Sequence, residues 1–370
     1  MNLSDQELKE LRPMIASWIS DDLIRNLFSM MSEKMEPELA GSVLVSTLKQ
    51  FPEGSDEEMI LAVARKHLNR EEGENVIKAG DAKKITRDYL DSLLLEMRLM
   101  GSTLPNTEID LFGKVFSSPI MTAALSHLGR FEKGKETMMD VYAKAAKQTN
   151  ILHWIGMCDN DWFEQIADLG AETVRIVKPY ADEEKLIDQL IFAKEHKAIA
   201  VGIDIDHTFT TSGTIDVILG EKMEAKSLEQ MKKYKDTTDL PFIVKGVLSV
   251  RDALLCKEIG ADAIVVSHHG GRLPYAVAPV SILPDIKKAV KDELKIFVDC
   301  GITSGMDAYK ALALGADAVS VGTHLIPYLR KGEDAAIERI EAMKRELSGA
   351  MAYTGVRDCH SFDASVIHRR

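Results

Sequence analysis

Eight short β-rich runs alternate with longer helical stretches from about residue 116 onward, and most are spaced as one strand, one helix and two loops require. Together with a length of 370 residues, this predicts an α/β chain. Its core is a TIM-type (β/α)₈ barrel of roughly 250 residues preceded by a helical N-terminal segment. The runs are Pro119 to Ala123, Ile151 to Ile155, Thr173 to Val177, Ala198 to Asp204, Pro241 to Lys245, Ala263 to Ser267, Lys295 to Asp299 and Ala318 to Gly322. They are near-continuous apolar segments, the pattern of strands buried on both faces of a parallel sheet. Eight repeats favour a closed barrel over an open sheet. Longer gaps, above all His207 to Leu240, mark extended loops, and in such barrels the loops after each strand build the active site.

The first 75 residues read as a helical N-terminal extension. Leu8, Leu11, Ile15, Trp18 and Ile19 share one helical face, and Ser4 with Glu7 and Ser55 with Glu58 have capping-box spacing. Phe51-Pro52-Glu53-Gly54 is a turn between helices, and Arg70 to Glu74 is the junction with the barrel, residues 76–370.

Composition narrows the function. A net charge of −12 disfavours nucleic acid as a partner. No apolar run reaches the roughly 18 residues that cross a bilayer, so a soluble protein without a membrane partner is expected. Cys158, Cys256, Cys300 and Cys359 form no CxxC pair. That spacing argues against a disulfide framework and against zinc. The polar start lacks the pattern of a targeting peptide, and the expected location is cytoplasmic.

The densest group of reactive side chains is Ser267-His268-His269-Gly270-Gly271-Arg272, directly after the sixth run. Its glycines let backbone approach a ligand, while His269 and Arg272 can serve as a base and a carboxylate clamp. Lys245 and Asp299 end the fifth and seventh runs. Asp204 closes a very apolar stretch and needs a charged or hydrogen-bonding partner there, for which His269 is the candidate. Gly301, Gly305, Gly315 and Gly322 fall where many barrels hold phosphate on backbone amides. The sum suggests a phosphorylated cofactor beside an acid/base site.

These residues resemble, in order and spacing, the FMN-dependent 2-hydroxy-acid oxidase and dehydrogenase family, which includes glycolate and lactate oxidases. The similarity runs over roughly residues 75 to 370. It starts at Ala79-Gly80-Asp81-Ala82 and is strongest over Val244-Lys245-Gly246-Val247, Ser267 to Arg272 and Ala311 to Val319. The resemblance implies FMN as cofactor and a small-molecule substrate, possibly a carboxylate, whose hydroxyl proton goes to His269 while two electrons go to the flavin. It implies that Arg272 binds the substrate carboxylate, that Asp204 stabilises the protonated histidine and that Lys245 stabilises the reduced flavin. Ser267 would hydrogen-bond the flavin and Asp299 the ribityl chain. Gly301, Thr303, Gly322 and Thr323 would hold the phosphate, and the loop carrying Thr122 and Ala123 would pack along the ring. Lys178 and Tyr180 stand where the family has a glutamine and a tyrosine, and Tyr180 is the candidate active-site tyrosine. A homo-oligomer is expected by the same analogy.

The chain also departs from the family pattern. Val76 replaces a tyrosine, His207 to Thr211 contains no arginine, and Thr303 or Ser304 and Thr323 replace phosphate-binding arginines. Asp204, Asp206 and His207 are too poor a set to argue for a metal. Two other functions remain open from the sequence: a flavin-dependent non-redox isomerase resembling type 2 isopentenyl diphosphate isomerase, and a catalytically inactive flavin-binding barrel.

Overall fold

The protein is described from a computed structural model. It describes residues 3–32 except 16 and 18, residues 40, 44, 48, 57, 60 and 61, and residues 80–370 except 127 and 130. The chain divides into two compact units, Met1–Lys78 and Ala79–Arg370. In the first, Ser4 caps the helix Asp5–Leu11 in a reciprocal capping box with Glu7. Leu8, Ile15 and Ile19 are buried in a small cluster with Leu23, Ile24, Leu27 and Phe28 of the helix Asp21–Ser32. Trp18, the Phe51 to Gly54 turn, the Ser55/Glu58 pair, the Arg70 to Glu74 junction, Val76 and Ala79 lie outside the described residues.

The second unit is an eight-stranded parallel barrel. Its strands are β1 (Ile120–Thr122), β2 (His153–Ile155), β3 (Thr173–Val177), β4 (Ala200–Asp204), β5 (Phe242–Val247), β6 (Ala263–Val266), β7 (Lys295–Val298) and β8 (Ala318–Val321). Seven neighbouring pairs run in one continuous sheet from β2 round to β8 and β1. The Thr122 amide bonded to Leu152 O at 3.1 Å and a parallel bridge between Leu125 and Ile155 close the ring. A helix follows each strand: α1 (Met138–Gln148), α2 (Asn160–Ala167), α3 (Glu183–Glu195), α4 (Leu228–Lys235), α5 (Val250–Glu258), α6 (Pro279–Val290), α7 (Gly305–Ala313) and α8 (Glu333–Thr354). Side-chain oxygens of Thr137, Asp159, Asp182, Ser227, Ser249 and Ser304 accept first-turn amides and fix where six of these helices start.

Alternation along the strands sorts the core into two layers. Met121, Trp154, Val174, Ile176, Ala200, Ile243, Val265 and Phe297 pack with Ile109, Leu111 and Phe116. The last three belong to the hairpin of Ile109–Leu111 and Lys114–Phe116. The other strand face packs with the helices in a second, larger cluster. Gly202 is obligatory in β4, because a Cβ there would lie 2.2 Å from Ile243 O. The barrel is therefore filled, and the space for a ligand lies at the strand C-termini.

Candidate active site

The C-terminal rim gathers side chains whose residues are far apart in the chain. Asp204 ends β4, Lys245 lies in β5, His269 follows β6 and Asp299 follows β7. Register places Lys245 opposite Asp204 on one side and Val265 on the other, so the ammonium and the carboxylate are neighbours by construction. Lys245 Nζ lies 3.9 Å from Asp204 Oδ1, 3.5 Å from Asp299 Oδ2 and 3.3 Å from His269 Nδ1. Lys178, just beyond β3, donates to Asp204 Oδ2 at 2.6 Å. All four charged partners of this group (Lys178, Asp204, Lys245, Asp299) are buried, and each is tolerable there only because the others neutralise it.

His269 is delivered to the rim by a backbone in the left-handed region, φ 50°, followed by Gly270 and Gly271 at φ 70° and 100°. Such a conformation is uncommon for a residue with a side chain and is found where function demands it. Ser267 Oγ accepts the His269 amide at 3.0 Å and holds the turn. His269 Nδ1 is 3.3 Å from Asp204 Oδ2, yet 2.7 Å from Asp206 Oδ1, so Asp206 makes the shorter contact. The other ring nitrogen, Nε2, faces His207 Nε2 at 3.0 Å.

The electrostatics follow from these contacts. Burial alone would raise Asp204, but Lys178, Lys245 and His269 together hold it well below the usual carboxylate range. Asp206 goes the other way, pushed up to about 6 by burial and by the charge of Asp204. Burial works against the His269 imidazolium, but Asp204 outweighs it and the ring titrates above its ordinary value. Lys245 is raised despite burial, by Asp204, Asp299 and Asp206. Burial drives His207 down to about 3, helped by Lys178 and His269. Ligand atoms of Asp204, Asp206, His207 and His269 fall within 4.8 Å of one another. Lys178 and Lys245 bring two ammoniums to the same group.

A cavity of about 440 Å³ opens on this rim, inside the roughly 300–1,000 Å³ range of cofactor and ligand clefts. Lys245, His269 and Asp299 line it, with Ala123, Gly301, Thr303, Gly322 and Thr323. Ser267, Asp204 and Lys178 stand directly behind these, each bonded to a lining residue or to its carboxylate partner. Gly301 has φ 79°, and a Cβ there would meet Thr86 Cγ2 at 2.7 Å, so the turn after β7 presents bare backbone to the cavity.

Three expected site residues are placed elsewhere. Tyr180 is buried in the hydrophobic core outside the cavity lining, under the Lys185 ammonium at 4.9 Å. Its bridge to Met223 turns the chain away from the rim after Lys178. Thr122 is buried behind the rim, bonded to His153 Nδ1 at 3.1 Å and to the Trp154 amide at 2.7 Å. Arg272 does not line the cavity: its Nη2 donates to Asp216 and, at 2.6 Å, to Phe209 O. Its Nε has no partner.

The cavity also has lining residues that the sequence did not single out. Lys83 and Thr86 come from the helix Ala82–Ser92, whose segment begins the family resemblance, Ser320 lies in β8 and His324 in the 3₁₀ turn after it. His268 hydrogen-bonds Thr86 Oγ1 at 2.7 Å, and Cys300 Sγ donates to Asp299 Oδ1 at 2.9 Å. The position of Lys83 at the start of a capped helix was the one available signal; nothing in the sequence pointed to Ser320 or His324.

The sequence model of the FMN-dependent dehydrogenases matches residues 74–226 and 209–369. The chain belongs to that family. As a member it is an FMN enzyme, an oxidoreductase built on a TIM barrel. A peroxisomal (S)-2-hydroxyacid oxidase of Arabidopsis thaliana is 29% identical over 280 residues, covering 66% of this chain and 76% of the relative. An L-lactate oxidase of Nostoc sp. is 36% identical over 169 residues, 45% of this chain and 46% of that protein. Among solved structures, a mandelate oxidase variant with (S)-mandelic acid superposes with a TM-score of 0.70 at 27% identity. It covers 79% of this chain and 92% of that one. A mandelate oxidase variant holding a C4a-OH-FMN adduct gives 0.69 over 79% of this chain and 93% of its own. Neither the isomerase-like nor the inactive-barrel reading is favoured by these matches.

The residues present fit FMN. Gly301, Gly322 and Thr323 line the cavity with bare backbone and a hydroxyl where a phosphate needs donors, while the Thr303 amide and hydroxyl, also at the lining, donate to Asp307 at 3.0 and 2.8 Å. Lys245 is a buried cation of the kind that holds charge arriving on the ring. The arginines near the phosphate end point elsewhere. Arg87 donates to Asp307 at 2.8 and 2.9 Å, and Arg339 donates to Thr303 O at 2.7 Å and Glu346 at 3.0 Å.

Proposed function

We propose that this enzyme oxidises a small 2-hydroxy acid or a closely related activated alcohol, with His269 as the base. The observation that carries the reading is the meeting of His269, Lys245 and Asp299 on one cavity, with Asp204 and Asp206 within hydrogen-bond or ion-pair reach of the imidazole. His269 takes the hydroxyl proton at Nε2, the ring nitrogen that does not face a carboxylate. The aspartates on the Nδ1 side orient the ring and stabilise its charge. Bound FMN supplies the acceptor for the two electrons. Lys245 holds positive charge beside that acceptor, and Asp299 keeps Lys245 in place. Arg272 would reach a substrate carboxylate only by leaving Asp216, since it stands outside the cavity lining and its Nε is buried.

The assignment of substrate class draws on the 2-hydroxy-acid oxidases and lactate oxidase among the relatives. Glycolate, L-lactate and (S)-mandelate, added without oxygen to the yellow holoenzyme, are expected to bleach the flavin bands. Full retention of colour with every acid of the panel overturns the reading. A cytoplasmic location and a homo-oligomeric state belong to the same proposal, and cell fractionation and light scattering test them.

A further inference from the structure

The turns after β7 and β8 meet the cavity through Asp299 to Thr303 and through Ser320, Gly322, Thr323 and His324. Barrels frequently bind phosphate at these two turns. Here, however, much of the hydrogen-bonding capacity is already spent. The Thr303 amide and hydroxyl donate to Asp307, and the guanidiniums of Arg87 and Arg339 are taken up behind the turn. Among the lining residues of the two turns, His324 is the one whose side chain carries an N–H.

Arg339, in α8, fixes which ring nitrogen holds that hydrogen. Its Nε donates to His324 Nε2 at 3.0 Å, its Nη1 to Glu346 Oε1 at 3.0 Å and its Nη2 to Thr303 O at 2.7 Å. Glu346 is anchored in turn, since its other oxygen accepts the Gly305 amide at 2.6 Å. A guanidinium donates and never accepts, so the imidazole nitrogen that faces it must be the bare one. The ring hydrogen is therefore on Nδ1, which has no hydrogen-bond partner among the described residues. A second ring proton would set Nε2–H against the guanidinium. Burial and the Arg339 charge accordingly hold His324 below its ordinary value, against the opposing charges of Asp307 and Glu346. The ring is neutral, and its one donor is Nδ1–H.

We propose that His324 Nδ1–H donates to the phosphate of FMN, with Arg339 as the positioning residue that selects the tautomer from behind. Phosphate is the group of FMN that consists of acceptors, and the ions of the base end stand at the other turns of the rim. Hydrogen bonds in a chain polarise one another, so the imidazole passes on part of the donor strength of the guanidinium without bringing its charge to the cavity. Arg339 thus acts on the phosphate through His324. This role concerns the cofactor alone and holds whichever substrate is oxidised at the base end.

The test is fluorescence titration of the full-length apoenzyme with FMN and with riboflavin, which has the same ring and ribityl chain but no phosphate. His324→Ala should weaken FMN by about tenfold or more, the scale of a hydrogen bond to a charged group, and leave riboflavin unchanged. His324→Asn, whose amide N–H falls near the place of Nδ1–H, should recover most of the FMN affinity. Histidine-¹⁵N spectra of the unsubstituted holoenzyme, with the His324 signal assigned by its loss in His324→Asn, should show a neutral ring protonated at Nδ1. In Arg339→Met the hydrogen should spread to Nε2. Unchanged FMN affinity in His324→Ala, or an equal loss for FMN and riboflavin in the folded variant, overturns the proposal. So does a holoenzyme in which His324 is an imidazolium or carries its hydrogen on Nε2, a result that stands even where His324→Ala does not fold.

Discussion

The two ends of the cavity are built on opposite plans. At the base end, charge faces inward: Lys245, Asp299 and His269 line the space, and Lys178 and Asp204 back them at 2.6 Å from each other. At the phosphate end, Arg87 and Arg339 bind Asp307 and Glu346 and donate to the backbone carbonyls of Gly301 and Thr303. They hold the turn from behind, and the cavity there is lined by Gly301, Gly322 and Thr323. The difference teaches that the chemistry and the cofactor grip rest on separate residues: the first end turns its ions to the cavity, the second keeps its guanidiniums behind the turn.

The comparison breaks most visibly at the base. His269→Ala should retain FMN and lose flavin reduction by substrate by up to about 10⁴-fold, the upper range for a removed general base. Stopped-flow bleaching measures this, and near-normal reduction would remove the base end from the argument. Lys245→Met follows, with an expected loss of about 10²–10³-fold, as for removal of one preorganised electrostatic donor. It should also lower thermal stability, because Asp204 and Asp299 lose a buried partner. Calorimetry and reduction rates on the same preparation read both effects.

The pH profile sharpens the same end. His269 must be neutral to accept a proton, and its folded value is raised, with burial opposed and outweighed by Asp204. Reduction should therefore rise with pH through an inflection above that of an ordinary imidazole. Asp204→Asn removes the raising charge, so the inflection should move to lower pH. The stability that His269 gains from its aspartates has the opposite sense. It is complete below the unfolded-state value and is lost as pH climbs through the raised folded value. An inflection that stays put in Asp204→Asn would assign the raising charge to Asp206 alone.

How much of this was readable beforehand differs between the same two ends. All eight strands stand within about two residues of their sequence positions, because a buried parallel strand writes itself as an apolar run. Lys245, Asp204, Asp299 and His269 were legible because a charged residue closing such a run has to sit at a strand end. Asp216 was not legible as the partner of Arg272, since the pairing depends on how the His207 to Leu240 loop folds back, bridging Phe209 to Ile215 and Tyr180 to Met223. The same bridge takes Tyr180 into the core. Asp206 was passed over in favour of Asp204 because spacing alone cannot tell which carboxylate reaches Nδ1, the one that ends β4 or the one in the 3₁₀ turn after it. At the phosphate end the missing arginines were plain in the sequence, but not that Arg87 and Arg339 would stand behind the turn.

The smallest expected effect tests whether that outer plan is a real weakness of cofactor binding. Thr323 follows Gly322 at the end of β8 and lines the cavity. An arginine there would replace a neutral hydroxyl donor with a charged one, and a hydrogen bond to a charged group contributes about 1.5–3 kcal/mol against about 1 for a neutral one. Thr323→Arg should therefore tighten FMN binding by about tenfold, or somewhat less after the cost of ordering a long side chain. Titration of apoenzyme with FMN, followed by fluorescence quenching at two salt concentrations, measures the gain. An electrostatic gain must shrink as salt rises. Unchanged affinity at low salt would mean that the donors already at the lining satisfy the phosphate, and the contrast between the two ends would then be one of means alone.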